Sequence, residues 1–148
     1  MVKAFVENYA REMPEVVITN QRKADLRAVA VKRALAQVWV AEQDGEIVGT
    51  VSMWGVGVKG SEAWLPNAVD LRHMGVAAKA QGKGVSGLLI ETAENWARAH
   101  GASAVCLHVR RGATGVRAVY EKRGYGADPK GNLDYLPDVY LEALFKQL

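Results

Sequence analysis

The sequence predicts an α/β fold in which one mixed β-sheet carries helices on both faces. One observation is Asp44-Gly45, a dipeptide typical of tight hairpin turns, which separates two extended segments. Another is the succession, over residues 68–109, of a strand, a glycine-rich turn, an amphipathic helix and an apolar strand. A strand–helix–strand unit joins parallel strands and a hairpin joins antiparallel ones, so both kinds of pairing are expected in one sheet.

The first 35 residues predict helices. Apolar residues at positions 2, 5, 6, 9 and 10 fall on one helical face, and Pro14 closes that segment. Asn20 is the expected N-cap of a second helix, which runs to about Leu35. Five basic residues lie on this second helix and form either a solvated face or a docking surface for an acidic molecule: Arg22, Lys23, Arg27, Lys32 and Arg33.

The middle of the chain supplies most of the predicted sheet. Its expected elements are strands over residues 37–42 and 46–54, a loop over 55–66, a strand over 68–77, a turn over 78–84, a helix over 85–100 and a strand over 104–109. Trp54 and Trp64 flank the glycine-rich loop, where they line a pocket, pack at a subunit interface or anchor the core. A homodimer is therefore one expectation.

The carboxy-terminal part predicts a short helix and further strands. Thr114 is the expected cap of the helix, which ends near Arg123 with Gly124 as its C′ residue. Tyr125 then begins a strand, residues 128–137 form a polar turn region, and residues 139–145 form the last strand.

Composition sets limits on the class of protein. With 148 residues the chain suits one domain, residues 1–148, and a net charge of +3 without a basic run does not indicate nucleic-acid binding. Cys106 is the sole cysteine, so neither an internal disulfide nor a thiolate metal site is expected, and its apolar strand predicts a buried side chain. No apolar run reaches 18 residues and no signal-peptide core precedes the domain. We expect a cytoplasmic protein that makes no membrane contact and holds no metal.

The turn before the amphipathic helix has the features of an anion site. Glycines allow close approach to a ligand, and the unpaired N–H groups of a helix's first turn attract phosphate. A P-loop is excluded because Gly82-Lys83 is followed by Gly84 rather than Ser or Thr. Residues 82–87 satisfy G-x-G-x-x-G, but the next strand lacks the acidic residue that a dinucleotide-binding site requires.

Three segments in register carry a resemblance to a known family. The segment Gln81-Gly82-Lys83-Gly84-Val85-Ser86 resembles the Q/R-x-x-G-x-G/A motif of the GCN5-related N-acetyltransferases (GNAT), and residues 120–125, Tyr-Glu-Lys-Arg-Gly-Tyr, resemble their Y-E-K-x-G-F/Y segment. Residues 38–49 are similar to the central hairpin of that family. The chain departs from the pattern in two places: a helix stands where the family normally begins with a strand, and Ala113 stands where many members have asparagine.

The resemblance implies a GNAT-like fold, that is, a mixed and mostly antiparallel sheet flanked by helices on both faces. Its first strand is either missing here or replaced by another element. It also implies an enzyme that transfers an acetyl group from acetyl-CoA directly to a primary amine of a small molecule or protein. A non-catalytic module that binds or senses acyl-CoA is the alternative, and a nucleotide-binding domain is a third reading.

Residue roles follow from the same resemblance. The pyrophosphate of the coenzyme is expected at Gln81, Gly82, Lys83, Gly84, Val85 and Ser86, with Lys79 adding charge. Met74 and Val76 are expected to pair with the pantetheine where the strand splays at a β-bulge, and the Gly75 backbone N–H to stabilise the oxyanion. Loss of the contact at Ala113 either weakens coenzyme binding or shifts the contact to Arg110, Arg111 or Thr114. Tyr120 is expected to protonate the departing thiolate.

The general base stays open in the sequence. Asp70 is the leading candidate because, in a regular strand, it lies on the same face as Met74 and Val76. His73 is available if the bulge redirects its side chain. The other carboxylates and imidazoles within reach of the predicted site are Glu46, Glu62 and His108.

Overall fold

The computed structural model describes residues 2–15, 18–136 and 139–148. Its helices are α1 (Val2–Glu12), α2 (Asn20–Arg27), α3 (Val29–Leu35), α4 (Val85–Ala99) and α5 (Thr114–Glu121). Its strands are β1 (Ala36–Gln43), β2 (Glu46–Trp54), β3 (Ala68–Val76), β4 (Ala104–Arg110), β5 (Gly126–Ala127), β6 (Leu133–Leu136) and β7 (Val139–Gln147). Single 3-10 turns lie at Ala78–Ala80 and Pro129–Gly131.

The seven strands form one sheet in the order β1-β2-β3-β4-β7-β5, and β6 pairs with β7. Strands β3 and β4, which α4 connects along the chain, run parallel. Each other strand pair in the described part of the chain is antiparallel. The predicted class, a mixed and mostly antiparallel sheet flanked by helices, is confirmed.

The main core lies between the sheet and α4. The apolar stripe of α4 predicts this, because Leu89, Ile90, Ala93 and Ala97 recur at helical spacing and are all buried. They pack on the inward residues of β2, β3, β4 and β7, and Tyr120 from α5 joins the same cluster. A smaller cluster on the other face contains the buried Cys106, as expected from its strand.

The helix predicted from Asn20 to Leu35 is wrong as a single helix. It is broken at Ala28, whose ψ of 56° is not helical, so α2 and α3 are separate. The N-cap is Thr19 rather than Asn20, because the Thr19 hydroxyl accepts the Arg22 N–H at 3.1 Å. Propensity alone favours an unbroken helix here. At the break, the buried Lys32 ammonium donates to the Leu26 carbonyl at 3.2 Å.

The carboxy-terminal predictions need similar correction. Thr114 is the first helical residue of α5 rather than its cap, which is Ala113 without a side-chain hydrogen bond. The strand expected from Tyr125 is only two residues long, and β6 lies inside the region predicted as a polar turn. Pro137, the last residue of that region, lies outside the described residues.

The start of the chain is helical, as its periodicity predicts. In the described residues before Ala36 there are three helices and no strand, so β1 forms the edge of the sheet. Over the part of the chain that the structure describes, no helix is long and apolar enough to span a bilayer.

The two tryptophans are not exposed. Trp54 is 6% exposed and lies under the Arg72 guanidinium. Trp64 donates its ring N–H to Asp128 at 2.8 Å and packs against Gly131 and the His108 ring. Both tie the 55–66 loop to the sheet, as expected of core anchors, and the homodimer stays a prediction.

Candidate active site

The site is built around a gap between two parallel strands. Strands β3 and β4 pair from Ala68↔Ala104 to Leu71↔Leu107, and their pairing then stops although both strands continue. Residues 72–76 of β3 and 108–110 of β4 therefore diverge at the carboxyl edge of the sheet. The edge of β3 that faces the gap has no ladder partner there, which leaves it able to pair with an extended ligand.

A β-bulge accompanies this divergence. Thr50 pairs with Gly75 and Ser52 with Arg72, so His73 and Met74 together face one residue of β2. His73 takes a φ of 54°, uncommon for a residue with a side chain. The bulge predicted from the sequence is confirmed, and it places Met74, Gly75 and Val76 along the gap.

The glycine turn, residues 81–84, lies at the same edge of the sheet. Gly82 and Gly84 have φ values of 72° and 81°, and a Cβ at either position would meet nothing within 4 Å. Gly84 is the N-cap of α4 and supplies no side-chain hydrogen bond, so the first N–H groups of this helix point toward the turn. Lys83 is exposed beside them. This geometry suits an anion.

Gln81 and Lys79 have other contacts in the structure. The Gln81 side-chain amide donates to the Val76 carbonyl at 3.1 Å and to Asn8 Oδ1 at 2.7 Å, and its oxygen accepts from Arg11 at 2.6 Å. The side chain of Gln81 therefore ties β3 to α1. Lys79 forms an exposed ion pair with Glu46.

Tyr120 reaches the gap from the opposite wall. Its side chain is 5% exposed, its ring meets the Tyr125 ring edge-on at 5.5 Å, and its hydroxyl lies 3.7 Å from Met74 Sδ. It thus extends from α5, which follows β4, to the bulge of β3. Burial raises the pKa of the Tyr120 phenol well above its usual range, so the hydroxyl keeps its proton at neutral pH.

The leading base candidate, Asp70, is enclosed. It is fully buried, and its Oδ2 accepts from Arg72 Nε at 2.6 Å and from the Glu62 backbone N–H at 2.8 Å. It also lies in the paired part of β3, opposite Cys106, before the gap begins. This placement argues against Asp70 as the base.

The other sequence candidates are also engaged. Glu62 pairs with Arg72 at 3.1 Å, Glu46 pairs with Lys79, and His108 Nε2 lies 2.8 Å from the Gly131 carbonyl oxygen. His73 is the candidate at the bulge, with Nδ1 3.4 Å from Ser52 Oγ and its ring 5.6 Å from Trp54. Burial first, then the charges of Lys32, Arg22 and Arg72, lowers the pKa of His73 to about 3. Its imidazole is therefore neutral but weakly basic.

Residues near the start of α5 complete the far wall. Thr114 is exposed at its first position, beside Ala113. The Arg111 guanidinium stacks on Tyr140 at 3.5 Å, and Arg110 lies 5.9 Å from the Tyr9 ring.

Sequence reasoning missed the role of α1, which bridges the gap. Asn8 and Arg11 bind Gln81 on the β3 side, whereas Glu12 and Met13 approach the β4 side at Gly115 and Gly112. A Cβ on Gly115 would lie 2.7 Å from Glu12 Oε1, so the absence of a side chain lets α1 sit there. These two glycines were the available signal, but nothing local links them to residues a hundred positions earlier.

Similarity to known proteins identifies the family. The family model described as "Acetyltransferase (GNAT) family" matches residues 2–125. The chain belongs to this GNAT family. No curated protein matches the sequence.

Solved structures of GNAT proteins share the fold at low identity. A GNAT acetyltransferase from Staphylococcus aureus is 15% identical over 99% of this chain and 90% of its own, with a TM-score of 0.75. The PaiA N-acetyltransferase of Thermoplasma acidophilum, in complex with coenzyme A, is 12% identical over 96% and 86%, with a TM-score of 0.69. The ribosomal-protein-alanine N-acetyltransferase of Brucella melitensis is 17% identical over 99% and 91%, with a TM-score of 0.65.

Proposed function

We propose that this GNAT protein is an enzyme that transfers an acetyl group from acetyl-CoA directly to a primary amine. The observation that carries the proposal is the Tyr120 hydroxyl, held in its protonated form across the gap from the β-bulge. The glycine turn at the start of α4 lies at the same edge of the sheet. The crystallised complexes of the Thermoplasma protein with coenzyme A and of a Bacillus anthracis relative with acetyl-CoA support the choice of cosubstrate.

Each wall of the gap has a task in this proposal. The N–H groups at the start of α4, with Lys83, hold the pyrophosphate, and the free edge of β3 at Met74 and Val76 aligns the pantetheine. The Gly75 N–H stabilises the oxyanion; one such donor contributes about 3 kcal/mol to the transition state. Thr114 supplies a further polar contact from the far wall.

The reaction exchanges one bond for another. The bound cosubstrate supplies an activated thioester; the C–N bond forms as the C–S bond breaks. Tyr120 donates its phenolic proton to the departing sulfur and then regains a proton from water, which restores the neutral phenol. The amine loses its proton to water, because Asp70, Glu46 and Glu62 are held in ion pairs.

Replacement of Tyr120 tests this assignment. We expect Tyr120→Phe to lower kcat on the order of 10²-fold, the usual size of one acid–base contribution, with little change in acetyl-CoA affinity. Tyr140→Phe is the matched control, since its hydroxyl accepts from Asn132 away from the gap. Turnover would be followed as free thiol released in the presence of a panel of amines.

The sensing alternative makes the opposite prediction. A module that only binds acyl-CoA would bind acetyl-CoA without turnover on any amine, and Tyr120→Phe would leave its behaviour unchanged. Ala113 and the helical start of the chain are the features that favour it.

A further inference from the structure

His73 lies on the face of the sheet opposite to α4. The bulge turns His73 toward Ser52 and Trp54, on the opposite side of the sheet from α4 and its apolar core. Arg72 lies on this face as well, stacked over Trp54, but its charge is balanced by Asp70 and Glu62.

The helices beside this face carry positive charge that is not balanced. Residues 20–35 contain five basic residues and one carboxylate, Asp25, which accepts from Gln21. Within the described parts of the chain, Arg22, Lys23 and Arg27 form no ion pair. Helix α1 contacts both α2 and β3, so it connects these cations to the strand that carries the bulge.

A groove continues this surface along α1. It has a volume of about 570 Å³ and is lined by Lys3, Val6, Glu7, Lys23 and Arg27. Glu7 is paired with Lys3, which leaves Lys23 and Arg27 as the charges open to a ligand.

The groove leads to the end of β3 beside the gap, because Gln81, which Arg11 contacts, also donates to the Val76 carbonyl. Lys3, Glu7 and Arg11 follow one another at four-residue spacing and so share one side of α1. Arg11 binds Gln81 at the far end of that line. Eight residues of helix span about 12 Å, the length of about four residues of extended peptide.

From this arrangement we propose that the acceptor is an acidic peptide segment whose amine enters the gap while its carboxylates lie along Arg22, Lys23 and Arg27. The proposal rests on the proposed acetyl transfer and names its acceptor class. Charge complementarity is the argument: Arg22, Lys23 and Arg27 lie within five helical residues of one another, a rise of about 7.5 Å, and three cations at this spacing suit a chain of carboxylates better than one small anion. The same cations would repel polyamines and lysine-rich peptides.

The test uses peptides that differ only in charge. One carries a free amine followed by four glutamates; its partners replace the glutamates with glutamines or with lysines, and free glutamate serves as the small-molecule arm. With the full chain and acetyl-CoA at low salt, we expect kcat/KM for the glutamate peptide to exceed that of the glutamine peptide by about tenfold, mainly through KM. The advantage should shrink as salt rises.

Charge removal locates the effect. We expect Lys23→Gln combined with Arg27→Gln to bring the glutamate-to-glutamine ratio of kcat/KM close to one by raising KM for the glutamate peptide. Lys122→Gln removes the same kind of charge from the exposed end of α5 and should leave the ratio unchanged. A fold check by circular dichroism accompanies each variant.

Three outcomes would overturn the proposal: equal or better use of the glutamine or lysine peptide, free glutamate used as well as its peptide, or a charge preference that survives Lys23→Gln with Arg27→Gln. Each of these requires acetylation of some amine, so it leaves the proposed acetyl transfer standing. Failure of the transfer itself is recognised separately, as absence of acetyl-CoA binding or of turnover on any amine.

Discussion

The surface proposed for the coenzyme and the surface proposed for the acceptor are built in different ways. The side proposed for the coenzyme comes from one continuous stretch, residues 72–87, whose bulge, turn and helix start follow one another along the chain. The side proposed for the acceptor comes from α1 and α2, held near the gap by contacts that join Asn8 and Arg11 to Gln81, about 70 positions away. Local sequence sets the first side, and tertiary contacts set the second.

The largest expected effect concerns the glycine turn. Gly84→Val puts a branched side chain at a φ of 81° where the coenzyme phosphates are expected, and we predict a loss of acetyl-CoA affinity on the order of 100-fold. Gly45→Val is the control, because Gly45 has a φ of 77° and equally open surroundings in the β1–β2 hairpin. Isothermal titration calorimetry measures both. Equal losses would mean that backbone strain, rather than the site, explains the result.

The next largest expected effect concerns the contact between α1 and Gly115 of α5. Gly115→Ala places a methyl group 2.7 Å from Glu12 Oε1, so the Glu12 side chain must rotate and its contact with the β4 side of the gap is lost. We expect KM for the acceptor to rise by about tenfold while acetyl-CoA affinity changes little. Gly126→Ala, at a position with nothing within 4 Å, is the matched control. A loss of acetyl-CoA affinity instead would place α1 on the coenzyme side and break the comparison.

A pH-dependent effect tests the surroundings of His73. Its pKa is about 3 in the folded protein and about 6.5 unfolded, so the unfolded state binds more protons between these values. Stability is therefore complete above pH 6.5 and falls as the pH drops toward 3, by at most about 1.4 kcal/mol per pH unit from this group. Urea titrations should find a flatter profile for His73→Asn but not for His100→Asn. An unchanged profile for His73→Asn would contradict burial of a neutral imidazole.

The smallest expected effects concern Lys79 and Lys83, the two lysines in and beside the glycine turn. Lys79 is paired with Glu46 at an exposed site, and such pairs contribute little. We predict that Lys79→Gln changes acetyl-CoA affinity less than threefold, whereas Lys83→Gln lowers it about fivefold, as loss of a charge-assisted phosphate contact would. The reverse order would move the phosphate site toward Ala78–Ala80.

The sequence was most informative where chemistry and structure share a local motif. Gly82 and Gly84 signal their own positive φ, and the apolar stripe of α4 and the Asp44-Gly45 hairpin follow from short-range pattern. Tyr120 was placed through its distance from Gly124-Tyr125, and the structure brings it to Met74. Its catalytic role and the coenzyme contacts remain predictions.

The features that the sequence did not predict depend on contacts between residues that are distant in the sequence. Asp70 looks available in a strand, but burial and its bonds to Arg72 and Glu62 depend on how the 55–66 loop folds back. The sequence could not choose among the three roles it left open for Trp54 and Trp64, because core anchoring depends on how the same loop packs. The break at Ala28 and the bridge made by α1 likewise arise from packing, which no local propensity records.

Titration of the unmodified protein with acetyl-CoA tests the central claim most directly. If the gap and the glycine turn form a coenzyme site, calorimetry will measure saturable binding of one acetyl-CoA per chain, and Gly84→Val will lose it while Gly45→Val keeps it. Absence of binding, or binding that Gly84→Val leaves intact, would contradict the assignment of residues 81–86 as the coenzyme site.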